Sequence, residues 1–215
     1  MEEISRRRFL KLGIAAAGAV AVGGGAGYAA TWAPGYDQPG KTMGDGMSKA
    51  LVVYGTATGC TEAIAERIAK VLSDRGMTAE IVPGAKAPDP APYDAVFVGS
   101  GVRMGSWHAP VKDWVSKNAV ALKSKKVAFY TVGLTLAGDP TKTAEVRAFT
   151  DPLIAETGVK PVDIGTFAGV NDPSKFSFLE RTILGLMKSQ KGDFRDWAAI
   201  EAWAAKSADA MELVG

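Results

Sequence analysis

From residue 49 onward, short apolar runs alternate with stretches whose apolar residues recur every three or four positions. Apolar runs of this length, bounded by polar or turn-forming residues, predict strands that are buried on both faces of a parallel sheet. We predict five such strands: Lys49–Tyr54, Thr78–Val82, Asp94–Gly99, Lys126–Val132 and Lys160–Phe167.

The stretches between these runs have the periodicity of amphipathic helices. In the first, Ile64, Ile68 and Leu72 share one face, and Gly76 follows as a helix stop. We predict helices over Thr61–Arg75, Pro110–Asn118, Glu145–Glu156 and Asp196–Leu213. Strands alternating with helices predict a single α/β domain over residues 49–215. Its core is a doubly wound, five-stranded parallel sheet with a ligand crevice at the carboxyl ends of the strands.

Residues 1–29 have a different pattern, a basic start followed by a long uncharged run. Residues 5–11 read SRRRFLK, and the next 21 residues carry no charge and are rich in alanine and glycine. This arrangement is typical of a secretory signal, and the heptapeptide resembles the twin-arginine signal S-R-R-x-F-L-K. The resemblance implies export by the twin-arginine translocation machinery. The uncharged run also reaches the length of about 20 residues that crosses a bilayer, so a membrane anchor is the alternative.

Residues 30–48 separate this signal from the first predicted strand. They are dense in glycine and proline and show no periodicity, which predicts a flexible linker. We therefore expect a domain that is exported across the cytoplasmic membrane or tethered to it through this linker.

Composition and charge limit the classes of function. The chain is 47% apolar and 22% charged, which is ordinary for one soluble α/β domain with an appendage. Its formal net charge of +2 resides in the signal region, so the rest of the chain is balanced and we expect no nucleic-acid partner. Cys60 is the only cysteine, which excludes an internal disulfide. We predict no metal site and no catalytic side chain.

The most informative motif is the loop from Gly55 to Thr61, which follows the first predicted strand directly and leads into the first predicted helix. A helix start offers unpaired N–H groups and the positive end of the helix dipole, and hydroxyl side chains add donors. The loop has no lysine or arginine and fits neither the P-loop nor the dinucleotide pattern, so we expect it to bind a single phosphate monoester. The predicted ligand-binding residues are Thr56, Ala57, Thr58, Gly59, Cys60 and Thr61.

Two alternatives concern single residues of this loop. The threonines can simply cap the helix, but a cap needs one hydroxyl and the loop supplies three. We interpret Cys60 as a small residue that contributes its backbone N–H rather than as a redox thiol.

The sequence of this loop resembles the T-x-T-G-x-T phosphate loop of the flavodoxins. Thr56, Thr58, Gly59 and Thr61 stand on the motif positions. The resemblance implies a flavodoxin-like fold, bound FMN with its 5′-phosphate in this loop, and a flavin ring lying across the loops after the third and fourth strands.

Those two loops supply the remaining predicted FMN-binding residues: Ser100, Gly101, Val102, Arg103, Met104, Gly105 and Trp107 after the third strand, and Val132, Gly133 and Leu134 after the fourth. Trp107 is a candidate neighbour of the flavin ring or a core residue. Arg103 either neutralises reduced flavin or lies in solvent, and His108 is either an acid–base group or a helix-start residue. The fourth-strand loop lacks the aromatic residue of many flavodoxins, which favours a ring open to a second substrate.

The stretch after the third strand also resembles one branch of that family. The pattern G-x-x-[IV]-R-x-G with a later histidine occurs in the branch that contains the menaquinone-dependent protoporphyrinogen oxidase. Here Gly99, Val102, Arg103, Gly105 and His108 match it. The resemblance implies exchange of electrons with a quinone.

Residues 171–196 form a further basic and apolar segment before the last predicted helix. Such a helix either lies on a membrane surface, where it can meet a quinone, or folds onto the sheet as a lid.

We expect an exported or membrane-tethered FMN protein that transfers electrons between a quinone pool and a redox partner. An oxidase of the menaquinone-dependent protoporphyrinogen oxidase type is the enzymatic alternative. A flavodoxin-like binding module without redox function is the third interpretation.

Overall fold

A computed structural model describes residues 38–103, 105–176, 178–186 and 189–213. The signal at 1–29, the first part of the predicted linker and Met104 lie outside the described residues. The strands are β1 (Lys41–Met43), β2 (Lys49–Gly55), β3 (Thr78–Pro83), β4 (Ala95–Arg103), β5 (Ser106–Trp107), β6 (Lys126–Gly133), β7 (Asp163–Ala168), β8 (Val170–Asn171) and β9 (Gly192–Asp193).

Five of these strands form the predicted parallel sheet. Their order across the sheet is β3-β2-β4-β6-β7, and every neighbouring pair runs parallel. This is the doubly wound order in which the direction of winding changes beside the first strand of the parallel set. The fold prediction is confirmed, and the carboxyl ends of β2 and β4 flank the crevice that such a sheet offers to a ligand.

Helices cover both faces of the sheet. The helices are α1 (Cys60–Asp74), α2 (Ala109–Lys117), α3 (Ala119–Lys123), α4 (Thr135–Gly138), α5 (Thr143–Arg147), α6 (Asp151–Thr157), α7 (Phe178–Leu186) and α8 (Trp197–Ala210), with 3-10 turns at Gly84–Lys86, Ala148–Thr150 and Pro173–Lys175. The described residues of the domain belong to one compact unit. None of the helices in the described part of the chain is long and apolar enough to span a membrane.

The continuous apolar runs arise because successive strand residues enter two separate cores. Val52 and Tyr54 of β2 pack with the buried faces of α1 and α8. Leu51 and Val53 pack with α2 on the opposite side of the sheet. Alternate side chains of a strand point to opposite faces, so both sets must be apolar.

The segment predicted as a flexible linker contains an ordered strand. Within residues 30–48, β1 pairs antiparallel with the edge strand β3. The Lys41 ammonium lies 2.9 Å from a carboxylate oxygen of Glu62 and also contacts Glu66. Three residues are too few to show a period in the sequence. β1 is held instead by main-chain hydrogen bonds to β3, whose edge would otherwise be uncovered.

The helix predicted over Glu145–Glu156 is interrupted. The structure has α5, a 3-10 turn and α6 in its place, and the hydroxyl of Thr150 donates to the carbonyl of Arg147. Pro152 lies in the first turn of α6, where its missing N–H costs nothing, so the chain restarts a helix there.

Close contact between neighbouring strands makes Gly99 of β4 a stability determinant. A Cβ atom at Gly99 would lie 2.0 Å from the ring of Tyr130, whose side chain is fully buried. We expect Gly99→Ala to lower the free energy of unfolding by about 2–3 kcal/mol through overpacking, and the melting temperature by about 5–10 °C. Thermal unfolding followed by circular dichroism measures the change.

Gly138→Ala is the matched control, because within the described part of the chain no atom beyond its local backbone neighbours lies within 4 Å of where a Cβ would stand. An equal melting temperature for the two variants would contradict the contact between Gly99 and Tyr130.

Candidate functional site

The three loops predicted to hold a ligand meet at the carboxyl edge of the sheet. A Cβ atom on Gly101, near the end of β4, would lie 3.1 Å from the hydroxyl oxygen of Thr61 and 3.8 Å from the carbonyl of Gly55. The backbone of the third-strand loop thus approaches the phosphate loop directly. Glycine is the residue that permits this distance.

Thr56 gives the phosphate loop its shape. Its hydroxyl oxygen accepts hydrogen bonds from the backbone N–H of Gly59 at 3.0 Å and of Thr58 at 3.4 Å. Gly59 has a φ of +85°, in the left-handed region that favours glycine. The loop therefore turns into α1 at a position where a side chain would be strained.

The amino terminus of α1 presents its N–H groups without a side-chain cap. Gly59 occupies the N-cap position, and no described side chain accepts a capping hydrogen bond there. Thr61 is already inside the helix and only 2% exposed, so helix capping does not account for it. Unpaired N–H groups and the helix dipole together suit an anion.

Cys60, the first residue of α1, is buried. Burial is the main reason that the pKa of its thiol is raised, although the backbone amide of Val170 hydrogen-bonds to it and opposes the shift. The thiol is therefore neutral at pH 7, and its interpretation as a small filler rather than a redox group stays a prediction.

Gly169 joins the phosphate loop to the fourth-strand loop. A Cβ atom there would lie 3.2 Å from Val132, 3.4 Å from the sulfur of Cys60 and 3.9 Å from Leu134. Gly133, which lies between Val132 and Leu134 in the chain, is the last residue of β6. Sequence reasoning missed Gly169, although a glycine two residues after the predicted end of a strand at the ligand edge is a usable signal.

The third-strand loop is a hairpin rather than an open loop. β4 runs to Arg103, beyond the predicted end at Gly99, and pairs with β5 so that Val102 faces Trp107. Gly105 has a φ of +77° in the turn. Ser100 is buried, and its hydroxyl oxygen accepts a 2.7 Å hydrogen bond from the backbone N–H of His108. This hydroxyl organises the hairpin.

The structure places Trp107 in the core. Its side chain is 2% exposed, its indole N–H donates to the hydroxyl of Thr131 at 3.0 Å, and its ring meets Phe129 edge to face. These contacts are those of the core alternative, and the place of Trp107 beside a flavin ring stays a prediction.

His108 is the N-cap residue of α2 and is largely buried. Its carbonyl accepts hydrogen bonds from the backbone N–H groups of Val111 and Lys112. These contacts are those of a helix-start residue, the structural alternative for this histidine.

A cavity of about 200 Å³ opens beside the phosphate loop. Residues 58–60 form one wall, and the opposite wall comes from the segment after β7, through Val170, Asp172, Lys175, Phe176 and Arg195. The Lys175 ammonium donates to the carbonyl of Thr58 at 3.0 Å. Sequence reasoning gave this segment a membrane or lid role but no contact with the loop at 58–60, because Lys175 lies 117 positions from Thr58 in the chain.

Arg195 is held in a fixed orientation on the cavity wall. It forms two hydrogen bonds with the carboxylate of Asp193, which lower the pKa of that carboxyl, and its guanidinium lies 4.5 Å from the ring centroid of Trp197. Arg67 lies over the same ring at 4.9 Å. The loop, the cavity, Lys175 and Arg195 form a site that can hold the anionic end of a ligand.

Comparison with protein families gives two matches. A model of the flavodoxin domain matches residues 51–197, more than half of the chain, and a model of the twin-arginine translocation pathway signal sequence matches residues 3–23. Both resemblances found in the sequence are confirmed.

Curated relatives share a weaker similarity. The chain is 25% identical over 150 residues to the protoporphyrinogen IX dehydrogenase (quinone) of Escherichia coli K12, covering 69% of this chain and 83% of the relative. It is 26% identical over 174 residues to the protein of the same name from Leishmania major, covering 75% of each.

Solved flavodoxin structures share the fold. Flavodoxin 2 from Bacillus cereus superposes with a TM-score of 0.51 and 18% identity, over 75% of this chain and 99% of that one. A flavodoxin variant from Pseudomonas aeruginosa gives a TM-score of 0.50 and 19% identity, over 76% and 99%.

Proposed function

The chain belongs to the flavodoxin domain family, and on that premise we propose that it is an exported FMN protein that transfers electrons between a quinone pool and a redox partner. The observation that carries the proposal is the uncapped start of α1 behind a loop of three threonines. Bound FMN would supply one- and two-electron redox chemistry. The residues of this chain would hold the cofactor, shield it and set its surroundings.

The donor set of the site fits the phosphate end of FMN. Backbone N–H groups of the first turn of α1 and the hydroxyls of Thr58 and Thr61 are the donors we assign to the phosphate. Thr56 shapes the loop through its bonds to Thr58 and Gly59. Close backbone approach at Gly101 leaves the edge of the site free of side chains, as a flat ring requires.

A cofactor site of this kind accounts for the type of export signal that the chain carries. FMN is made in the cytoplasm and would be held without a covalent bond, so it can leave only inside a folded protein. The twin-arginine route carries folded proteins. We propose that the domain folds around FMN first and is then exported. At the outer face of the membrane it would be either released or tethered.

The similarity to curated relatives supports both a quinone partner and a second candidate function, that of an oxidase. The relatives from Escherichia coli and Leishmania major are named as quinone-linked dehydrogenases of protoporphyrinogen IX. This similarity favours quinone as an electron partner and an oxidase of the menaquinone-dependent protoporphyrinogen oxidase type as the alternative activity. A non-redox binding module would instead bind no flavin.

A spectrum and an assay of the exported protein test these possibilities. We expect purified protein to show flavin absorbance near 450 nm, to lose it with the cofactor, and to regain it with one equivalent of FMN. Quinol should reduce the bound flavin under anaerobic conditions. A colourless protein that takes up no FMN would contradict the redox proposal, and turnover of protoporphyrinogen with a quinone acceptor would favour the oxidase.

A further inference from the structure

The segment between β7 and α8 adds positive charge to a phosphate loop that has none of its own. The loop from Gly55 to Thr61 contains no lysine or arginine. The cavity beside it is nevertheless lined by Lys175 and Arg195, which come from far along the chain. We propose that these two cations bind the phosphate group of the ligand and select phosphorylated flavin over riboflavin. The inference rests on the proposed FMN function.

Lys175 is positioned by the loop itself. Its ammonium donates to the carbonyl of Thr58 at 3.0 Å, and its side chain lines the cavity. A lysine ammonium has three donors, so a bond to this carbonyl leaves others for an anion. Pro173, in the 3-10 turn that carries Lys175, and the bond from Ser174 N–H to Asp172 fix the turn beneath it.

Arg195 is oriented by its neighbours. Its guanidinium is paired with Asp193 and stacked on Trp197, so little side-chain entropy is lost when an anion binds. A planar guanidinium with five N–H donors retains donors beyond those two hydrogen bonds.

The carboxylates of Asp172 and Asp193, near the cavity, are both already hydrogen-bonded. Among the described residues that line the cavity, Asp172 is the acidic one, and its carboxylate accepts hydrogen bonds from the N–H and the hydroxyl of Ser174. The charges that act on the Cys60 thiol, at the first position of α1, are those of Lys175, Arg195 and Asp193. Counted together, Asp172 and Asp193 balance the charges of Lys175 and Arg195, so the two cationic side chains offer an anion N–H donors held in place at the start of α1 rather than an excess of positive charge.

Paired titrations of FMN and riboflavin test the assignment, because the two ligands differ only in the phosphate. We expect Lys175→Met and Arg195→Met each to weaken FMN binding about tenfold and to change riboflavin binding less than about twofold. The FMN affinity of the unaltered protein should fall as salt rises, and this dependence should weaken in both variants. Flavin fluorescence quenching measures each dissociation constant.

Lys191→Met is the matched control, since Lys191 is an exposed lysine of the same segment. Lys175→Arg should restore most of the FMN affinity. Using the ratio of FMN to riboflavin affinity removes any general effect of a variant on folding.

Each outcome has one meaning. If the unaltered protein binds FMN and the affinity ratio is unchanged in both variants, the inference is overturned and the proposed function survives. If Lys175→Met weakens both flavins equally and leaves the salt dependence intact, Lys175 only fixes the loop, and its assignment to phosphate is wrong. If the unaltered protein binds no FMN, the proposed function and this inference both fall.

Discussion

Replacing Thr56, Thr58 and Thr61 together with valine is expected to abolish FMN binding while the domain stays folded. Each hydroxyl that bonds to a charged phosphate contributes about 1.5–3 kcal/mol. Losing two contributions of this kind, at Thr58 and Thr61, and about 1 kcal/mol of loop order at Thr56 weakens binding by at least about 4 kcal/mol, or roughly a thousandfold in Kd. The purified triple variant should be colourless, and titration with FMN followed by fluorescence quenching measures the remaining affinity.

The three substitutions act by different routes, which single variants can separate. Thr56 accepts from the N–H groups of Thr58 and Gly59, so Thr56→Val also loosens the loop by about 1 kcal/mol. Thr61 is buried, and a valine methyl group occupies about the space of the hydroxyl, so Thr61→Val should remove a donor without leaving a cavity. A triple variant that purifies fully loaded with FMN would remove the basis of the proposed function.

Thr42→Val and Thr143→Val are suitable controls because both side chains are exposed and lie outside the site. Their FMN affinity should match that of the unaltered protein. Circular dichroism of all variants confirms that lost affinity is not lost structure.

The parallel sheet and the phosphate loop could be predicted because their signals are local. β2 must bury both faces, so its sequence is continuously apolar, and the loop must turn sharply into α1, so it carries Gly59. A strand or a helix start of this kind has a pattern that a single window of sequence contains.

The parts that were missed depend on contacts between distant residues. β1 exists because β3 has an open edge, and its three residues have no pattern of their own. Lys175 reaches Thr58 only because the chain after β7 returns across the start of α1. Trp107 could not be assigned from sequence, because an aromatic residue at a helix start has the same local pattern in a core and beside a flavin.

Replacing Arg6 and Arg7 with lysine is expected to stop export of the protein without affecting its fold or its flavin. The substitution keeps both positive charges but removes the planar, five-donor guanidinium groups that support bidentate recognition. A membrane anchor needs only the charge of its basic flank, whereas recognition of the arginine pair needs the group itself. The two interpretations of residues 1–29 therefore predict opposite results.

We expect the exported fraction to fall to less than about a tenth of that of the unaltered protein, which corresponds to the loss of about 1.5–3 kcal/mol at a bidentate contact. The protein should accumulate in the cytoplasm, folded and yellow, because residues 1–29 precede the domain that binds the cofactor. Fractionation followed by immunoblotting and flavin absorbance measures both quantities.

Arg8→Lys is the matched control, since Arg8 occupies the variable position of the signal. We expect this variant protein to be exported normally. Normal export of the double variant would show that residues 1–29 act through their positive charge, as a signal or an anchor, and not through recognition of the arginine pair. Export would then no longer be linked to prior folding of the flavin domain.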